Sequence, residues 1–176
     1  MRMIDAILAE LEEEAKTTAR VLERVPQAHL AWKPHPKSMS LGRLALHIAT
    51  LPGGVAELAA MDVVPEPPNP PAVEATSTAE LLPALERSVA QARRLLGGLD
   101  DAAMMATWRL MLNGKEGLAM PRVAFVRAIM LNHWYQHRGQ LMVYLRLLDV
   151  PVPSVYGPSA DEAPAWRAAA TAAAAR

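Results

Sequence analysis

The sequence contains no cysteine. The chain therefore has no disulfide, no thiolate ligand for a metal and no cysteine nucleophile, so any thiol chemistry needs a small-molecule thiol from outside. An excess of one charge is lacking too, because 18 Lys and Arg residues balance 18 Asp and Glu residues and the pI is about 7.0. This balance gives no electrostatic footprint for binding nucleic acid.

Long apolar runs are also missing. The N-terminus is charged within its first turns and lacks the apolar run and cleavage site of a signal peptide. No later stretch approaches the roughly 18 uninterrupted apolar residues of a membrane span. We therefore expect a soluble, cytoplasmic protein that does not enter a membrane. Its 176 residues suffice for one domain with its own core, which we place at residues 1–162, followed by an Ala-rich tail at 163–176 that frays.

Hydrophobic spacing predicts four helices. In four segments, apolar residues recur at steps of three and four, as on one face of a helix. These segments run from Ile4 to Val25, from Leu41 to Leu58, from Ser77 to Leu99 and from Pro121 to Leu147. Ser40 is a plausible N-cap of the second helix, and Ser77 with Glu80 forms a capping-box pattern for the third. The predicted fold is an all-α four-helix bundle.

The segments between the predicted helices add detail to the predicted fold. Residues 61–71 contain five prolines, which predict an extended crossover that permits helices two and three to run parallel. Between helices three and four, Asn113 and Gly114 are the preferred residues of a two-residue turn. They predict a short β-hairpin from Thr107 to Leu118.

Three histidines are the main candidates for chemistry. His133 and His137 lie four residues apart in the fourth segment, which projects both imidazoles from one face of a helix. Both occupy the predicted core stripe, whereas His47 lies one step beside the stripe of the second helix. A lone core histidine usually has a structural hydrogen bond, and this alternative stays open for each. A shared metal ion would avoid the cost of about 1–3 kcal/mol for each unpaired buried group.

The donor set indicates which metals would fit. Three imidazoles without an evident carboxylate suit zinc, nickel, iron or cobalt and disfavour magnesium or calcium, which prefer oxygen. Three protein ligands would leave a position open for water or substrate, as in catalytic sites. Such a site would lower the pKa of a thiol or of water and present it to an electrophile.

Four further residues are assigned possible roles in or near the site. Tyr144 could donate a hydrogen bond at the metal site, although a structural partner is the alternative. Arg43 could reach an anionic substrate from its position four residues before His47, although a solvated arginine is the default. Pro52 predicts a kink in helix two or, equally, the end of that helix. Arg138 is expected to lie off the core stripe in a structural salt bridge.

Three segments of the sequence resemble the DinB (YfiT-like) family. They are Trp32 to Pro52, His133 to Gln140, and Val152 to Glu162, in the expected order within residues 1–162. The resemblance implies a four-helix bundle with a divalent metal held by His47, His133 and His137, commonly in a homodimer. Family members with assigned chemistry are mostly thiol-dependent transferases or isomerases that use bacillithiol, mycothiol or glutathione.

The resemblance favours a metal-dependent transferase that acts on a small-molecule substrate together with a low-molecular-weight thiol. A metal-dependent hydrolase is an alternative, but it needs a general base and the sequence offers no convincing carboxylate. A non-catalytic, dimeric, stress-related binding protein is the other alternative.

Overall fold

The computed structural model describes residues 1–66, 73–164 and 166–167. The α-helices are α1 (Met3–Leu22), α2 (Leu41–Ala59), α3 (Leu81–Leu96), α4 (Asp101–Met105), α5 (Arg122–Phe125) and α6 (His133–Leu147). A π-helical segment, Val126–Asn132, joins α5 to α6 without a break. The strands are β1 (Val63–Val64), β2 (Thr107–Leu112) and β3 (Lys115–Pro121), and 3-10 turns cover Gln27–His29 and Thr78–Glu80.

The predicted helices form with small shifts at their ends. Ser40 caps α2, since its Oγ accepts a hydrogen bond of 3.1 Å from the Arg43 N–H. Ser77 and Glu80 form the expected capping box at the 3-10 turn before α3. The third helix ends at Leu96 rather than Leu99, because Asp100 caps the separate helix α4. The first helix likewise ends at Leu22 rather than Val25, and the last begins one residue after Pro121.

Contacts between the long helices fix their relative directions. Gly53 bonds to Ser88, and four residues further along α2 Glu57 bonds to Gln91, so α2 and α3 are parallel. The proline-rich crossover permits this arrangement, although residues 67–71 of the crossover lie outside the described residues. Between α2 and α6 the order is reversed. Ile48 bonds to Trp134 near the start of α6, whereas Met39, just before α2, bonds to Tyr144 near its end, so these two helices are antiparallel.

The predicted hairpin is confirmed and belongs to a larger sheet. Asn113 and Gly114 both have positive φ angles, 51° and 72°, as a tight turn with the twist of the strands requires. β3 pairs antiparallel with β2, and β1 pairs in parallel on the other edge of β2. The all-α class is therefore corrected to a mostly helical fold with a small three-stranded sheet. β1 could not be foreseen because two residues carry no alternation pattern.

Two buried side chains attach this sheet to the helices. The indole Nε1 of Trp108 donates to the Leu58 carbonyl at 2.9 Å, and its ring stacks on Phe125. The guanidinium of Arg122 donates to the Ala59 carbonyl at 2.7 Å and also binds Asp62. Arg122 thereby satisfies the backbone at the end of α2, where helix carbonyls lack partners.

In the part of the chain that the structure describes, no helix is both long and apolar enough to span a membrane. Of the predicted Ala-rich tail at 163–176, residue 165 and residues 168–176 lie outside the described residues, so its fraying stays a prediction.

Candidate metal centre

The backbone of α2 has an unusual partner beside the histidines. Pro52 does not end the helix, which continues to Ala59, so the alternative of a helix end is wrong. Proline has no N–H to donate to the carbonyl four residues earlier, that of Ile48. The indole Nε1 of Trp134 donates to this carbonyl instead, at 2.8 Å and fully buried. Because Pro52 has no N–H, the Ile48 carbonyl accepts a hydrogen bond from Trp134 instead, and this bond joins α2 to α6.

The π-helical segment sets which residues of α6 face the core. A π-helical turn holds more residues than an α-helical turn, so buried residues can follow one another at steps of four, as Val126, Met130 and Trp134 do. The buried residues from Val126 to the end of α6 are Val126, Met130, Leu131, Trp134, Arg138, Leu141 and Leu145. The sequence predicts His133 and His137 on the core stripe, and this is wrong by one residue, because the buried positions are the next residues, Trp134 and Arg138. Trp134 enters the core, and His133 and His137 lie half-buried at its edge.

The three predicted histidines come together. Their ligand-capable nitrogen atoms all lie within 4.8 Å of one another. The Nε2 atoms of His133 and His137 are 2.7 Å apart, and the His47 ring lies 4.7 Å from the His137 ring between centroids. α2 supplies His47 and α6 supplies the other two, so the antiparallel pair of helices builds the cluster.

Electrostatics favour neutral imidazoles here. Burial lowers the pKa of His47 to about 4, and positive charge on His137, His133 and Arg43 adds to this effect. Burial, followed by the charge on His137, also lowers the pKa of His133. Both rings are therefore neutral at neutral pH and each keeps one nitrogen lone pair.

The cluster fits a transition metal. Its donors are all imidazoles, which suit zinc, nickel, iron or cobalt. His47, His133 and His137 would hold one such ion between their nitrogen atoms, and the ion would supply Lewis-acid chemistry there.

Comparison with known proteins shows which family this chain matches. Residues 2–168 match the DinB family. The chain belongs to the DinB family. A search of curated proteins finds no match.

Two solved structures resemble this DinB-family chain. A DinB-like protein from Bacillus cereus has a TM-score of 0.68 and 23% identity, over 87% of this chain and 97% of its own. A DinB-like protein from Bacillus subtilis has a TM-score of 0.61 and 19% identity, over 83% of this chain and 95% of its own. At these identities the likeness shows a shared DinB-like fold.

The two weaker site candidates, Tyr144 and Arg43, have different surroundings. The Tyr144 hydroxyl donates to the Met39 carbonyl at 3.4 Å, and its ring packs edge-on against Trp32. Tyr144 thus has structural partners at this end of α6. Arg43 is exposed, and its charge reaches His47 strongly enough to contribute to the lowered pKa.

Arg138 forms the expected salt bridge, but in a buried position on the core stripe. Its guanidinium lies 2.6 Å from the Glu14 carboxylate and donates to the hydroxyls of Thr18 and Tyr156. An uninterrupted α-helix would place Arg138 off the buried stripe. The π-helical segment shifts the buried face by one residue and brings Arg138 onto it. The same guanidinium holds Tyr156, and with it the segment after α6, against α1.

Replacing Trp134 with phenylalanine tests the bond to α2. Phenylalanine keeps an aromatic ring but leaves the buried Ile48 carbonyl without its donor, which should lower the free energy of unfolding by about 1–3 kcal/mol. Urea denaturation of the metal-free protein measures this cost.

Pro52→Ala provides the matched background, because it restores an N–H to the Ile48 carbonyl. Trp134→Phe should therefore cost less in Pro52→Ala protein than in the natural chain. An equal cost in both backgrounds would show that the indole bond is not what Trp134 contributes.

Proposed function

We propose that this DinB-family protein is a metal-dependent transferase that acts on a small-molecule substrate together with a low-molecular-weight thiol. His47, His133 and His137 would hold one divalent transition metal, with zinc, nickel, iron and cobalt all compatible with the donors. The convergence of the three ligand nitrogens within 4.8 Å carries this proposal. We further propose that the four long helical segments form a four-helix bundle and that the protein works as a cytoplasmic homodimer without nucleic acid.

The metal would supply Lewis-acid chemistry and a lowered pKa for a thiol or water at the site. The residues of the chain define the surroundings. All three histidines are only partly buried, so a small molecule can reach the cluster. Arg43 stands exposed beside His47 and offers a positive charge to an anionic group of the thiol or substrate. The absence of cysteine means that the thiol must come from outside the chain.

A hydrolase is supported less well. It would need a general base within reach of the attacking water. Among the described residues, the metal-capable group consists of histidines alone and includes no carboxylate. A non-catalytic binding protein would need neither a thiol nor turnover, so a thiol-binding experiment separates it from the transferase.

Isothermal titration of the metal-loaded protein with bacillithiol, mycothiol and glutathione tests the proposal. We expect one of the three to bind the metal-loaded protein and not the metal-free protein, and its S-methyl derivative not to bind. Arg43→Gln should weaken this binding, because it removes the positive charge while keeping a polar side chain that can donate hydrogen bonds. If none of the three thiols binds to the metal-loaded protein, the thiol-dependent function is wrong.

A further inference from the structure

The outer hydrogen bond of His137 decides which of its nitrogens offers a lone pair to the cluster. A neutral imidazole carries one proton, so only one nitrogen can offer a lone pair to a metal. The partner of the other nitrogen selects this tautomer. His137 has such a partner.

Gln140 is the partner of His137. Its amide oxygen Oε1 lies 2.8 Å from His137 Nδ1. A carbonyl oxygen only accepts hydrogen bonds, so the proton of His137 lies on Nδ1 and the lone pair lies on Nε2. Nε2 is the atom that faces His133 at 2.7 Å.

His133 lies on the other side of His137. Its Nε2 is 2.7 Å from His137 Nε2, which is hydrogen-bond distance, so one of the two atoms donates to the other in the metal-free protein. With the proton of His137 on Nδ1, His133 Nε2 is the donor and His137 Nε2 accepts.

We propose that Gln140 is a positioning residue that holds His137 as the Nδ1–H tautomer, so that Nε2 is ready to bind the metal. Gln140 thereby pre-organises His137 before any ion arrives. The inference rests on the proposed metal site, which it deepens by adding an outer partner to the ligands.

The tautomer can be measured without metal. Long-range nitrogen–proton NMR of the metal-free protein distinguishes a protonated Nδ1 from a protonated Nε2. His137 should be Nδ1–H in the natural protein and should shift toward Nε2–H in Gln140→Leu. Gln136→Leu is the matched control, because Gln136 is the same residue type, exposed like Gln140 and one turn earlier on α6.

Zinc affinity gives the second readout. Loss of an outer partner of a ligating histidine weakens metal binding by about 10–100-fold, so titration with zinc alone should show this loss in Gln140→Leu. Gln140→Glu should bind zinc at least as tightly as the natural protein, because a carboxylate can only accept. Gln136→Leu should leave the affinity unchanged.

The outcomes separate the two proposals. If Gln140→Leu has the same His137 tautomer and the same zinc affinity as Gln136→Leu, the role of Gln140 is overturned. If the natural protein binds no zinc, the proposed metal site is wrong, and the NMR measurement on metal-free protein still decides whether Gln140 sets the tautomer.

Discussion

Arg138→Met is expected to lower the free energy of unfolding by about 3–5 kcal/mol, because it leaves the largely buried Glu14 carboxylate without a cation beside it. Arg138 and Glu14 are only 2% and 16% exposed, so water cannot replace the lost contact fully. The substitution also removes the donors to Thr18 and Tyr156. Methionine fills most of the volume that arginine occupied. Urea denaturation measures the change in the free energy of unfolding.

Arg127→Met is the matched control. Arg127 also joins the last helical region to α1, through Glu10, but this pair is 48% and 33% exposed. Exposed pairs contribute about 0–1 kcal/mol, so the control should cost little. Adding Glu14→Leu to Arg138→Met should recover much of the lost stability, since no unpaired charge then remains. Similar costs for Arg138→Met and Arg127→Met would contradict the buried ion pair.

His47→Ala is expected to weaken zinc binding by at least about 100-fold, because the loss of a ligand should exceed the 10–100-fold effect of losing an outer partner. His47 is the only member of the cluster from α2, so its loss also removes the link between the helices at the site. Isothermal titration with zinc measures the affinity, and circular dichroism checks the fold.

His35→Ala is the control for this variant. His35 lies exposed in the loop before α2, where its Nδ1 accepts from the Lys37 N–H. It should bind zinc as the natural protein does. Equal weakening by both substitutions would mean that His47 is not a ligand.

Local signals predicted much of the fold. Ser40, Ser77 with Glu80, and Asn113 with Gly114 each act through backbone groups within a few residues, so their sequence patterns were sufficient. The apolar periodicity located the long helices for the same reason. The helix ends were less certain, because Asp100 starts a separate short helix where the pattern appeared to continue.

The histidine cluster was predicted from spacing and resemblance, but its surroundings were not. The π-helical segment shifts the buried face of α6 by one residue, and the apolar pattern before His133 does not reveal such a change in pitch. The hydrogen bond from Trp134 to Ile48 joins residues that are 86 positions apart in the sequence, so it depends on the packing of α2 against α6. Gln140 and Arg122 act through partners that become visible only once the chain is folded.

The most direct test of the metal centre is the metal content of protein purified without a histidine tag. Elemental analysis by mass spectrometry should find about one transition-metal ion per chain, as three converging imidazole ligands predict. The ion should be lost from a variant in which His133 and His137 are both alanine. A natural protein that holds no transition metal even after incubation with zinc, nickel, iron and cobalt would contradict the account, as would a double variant that keeps its ion.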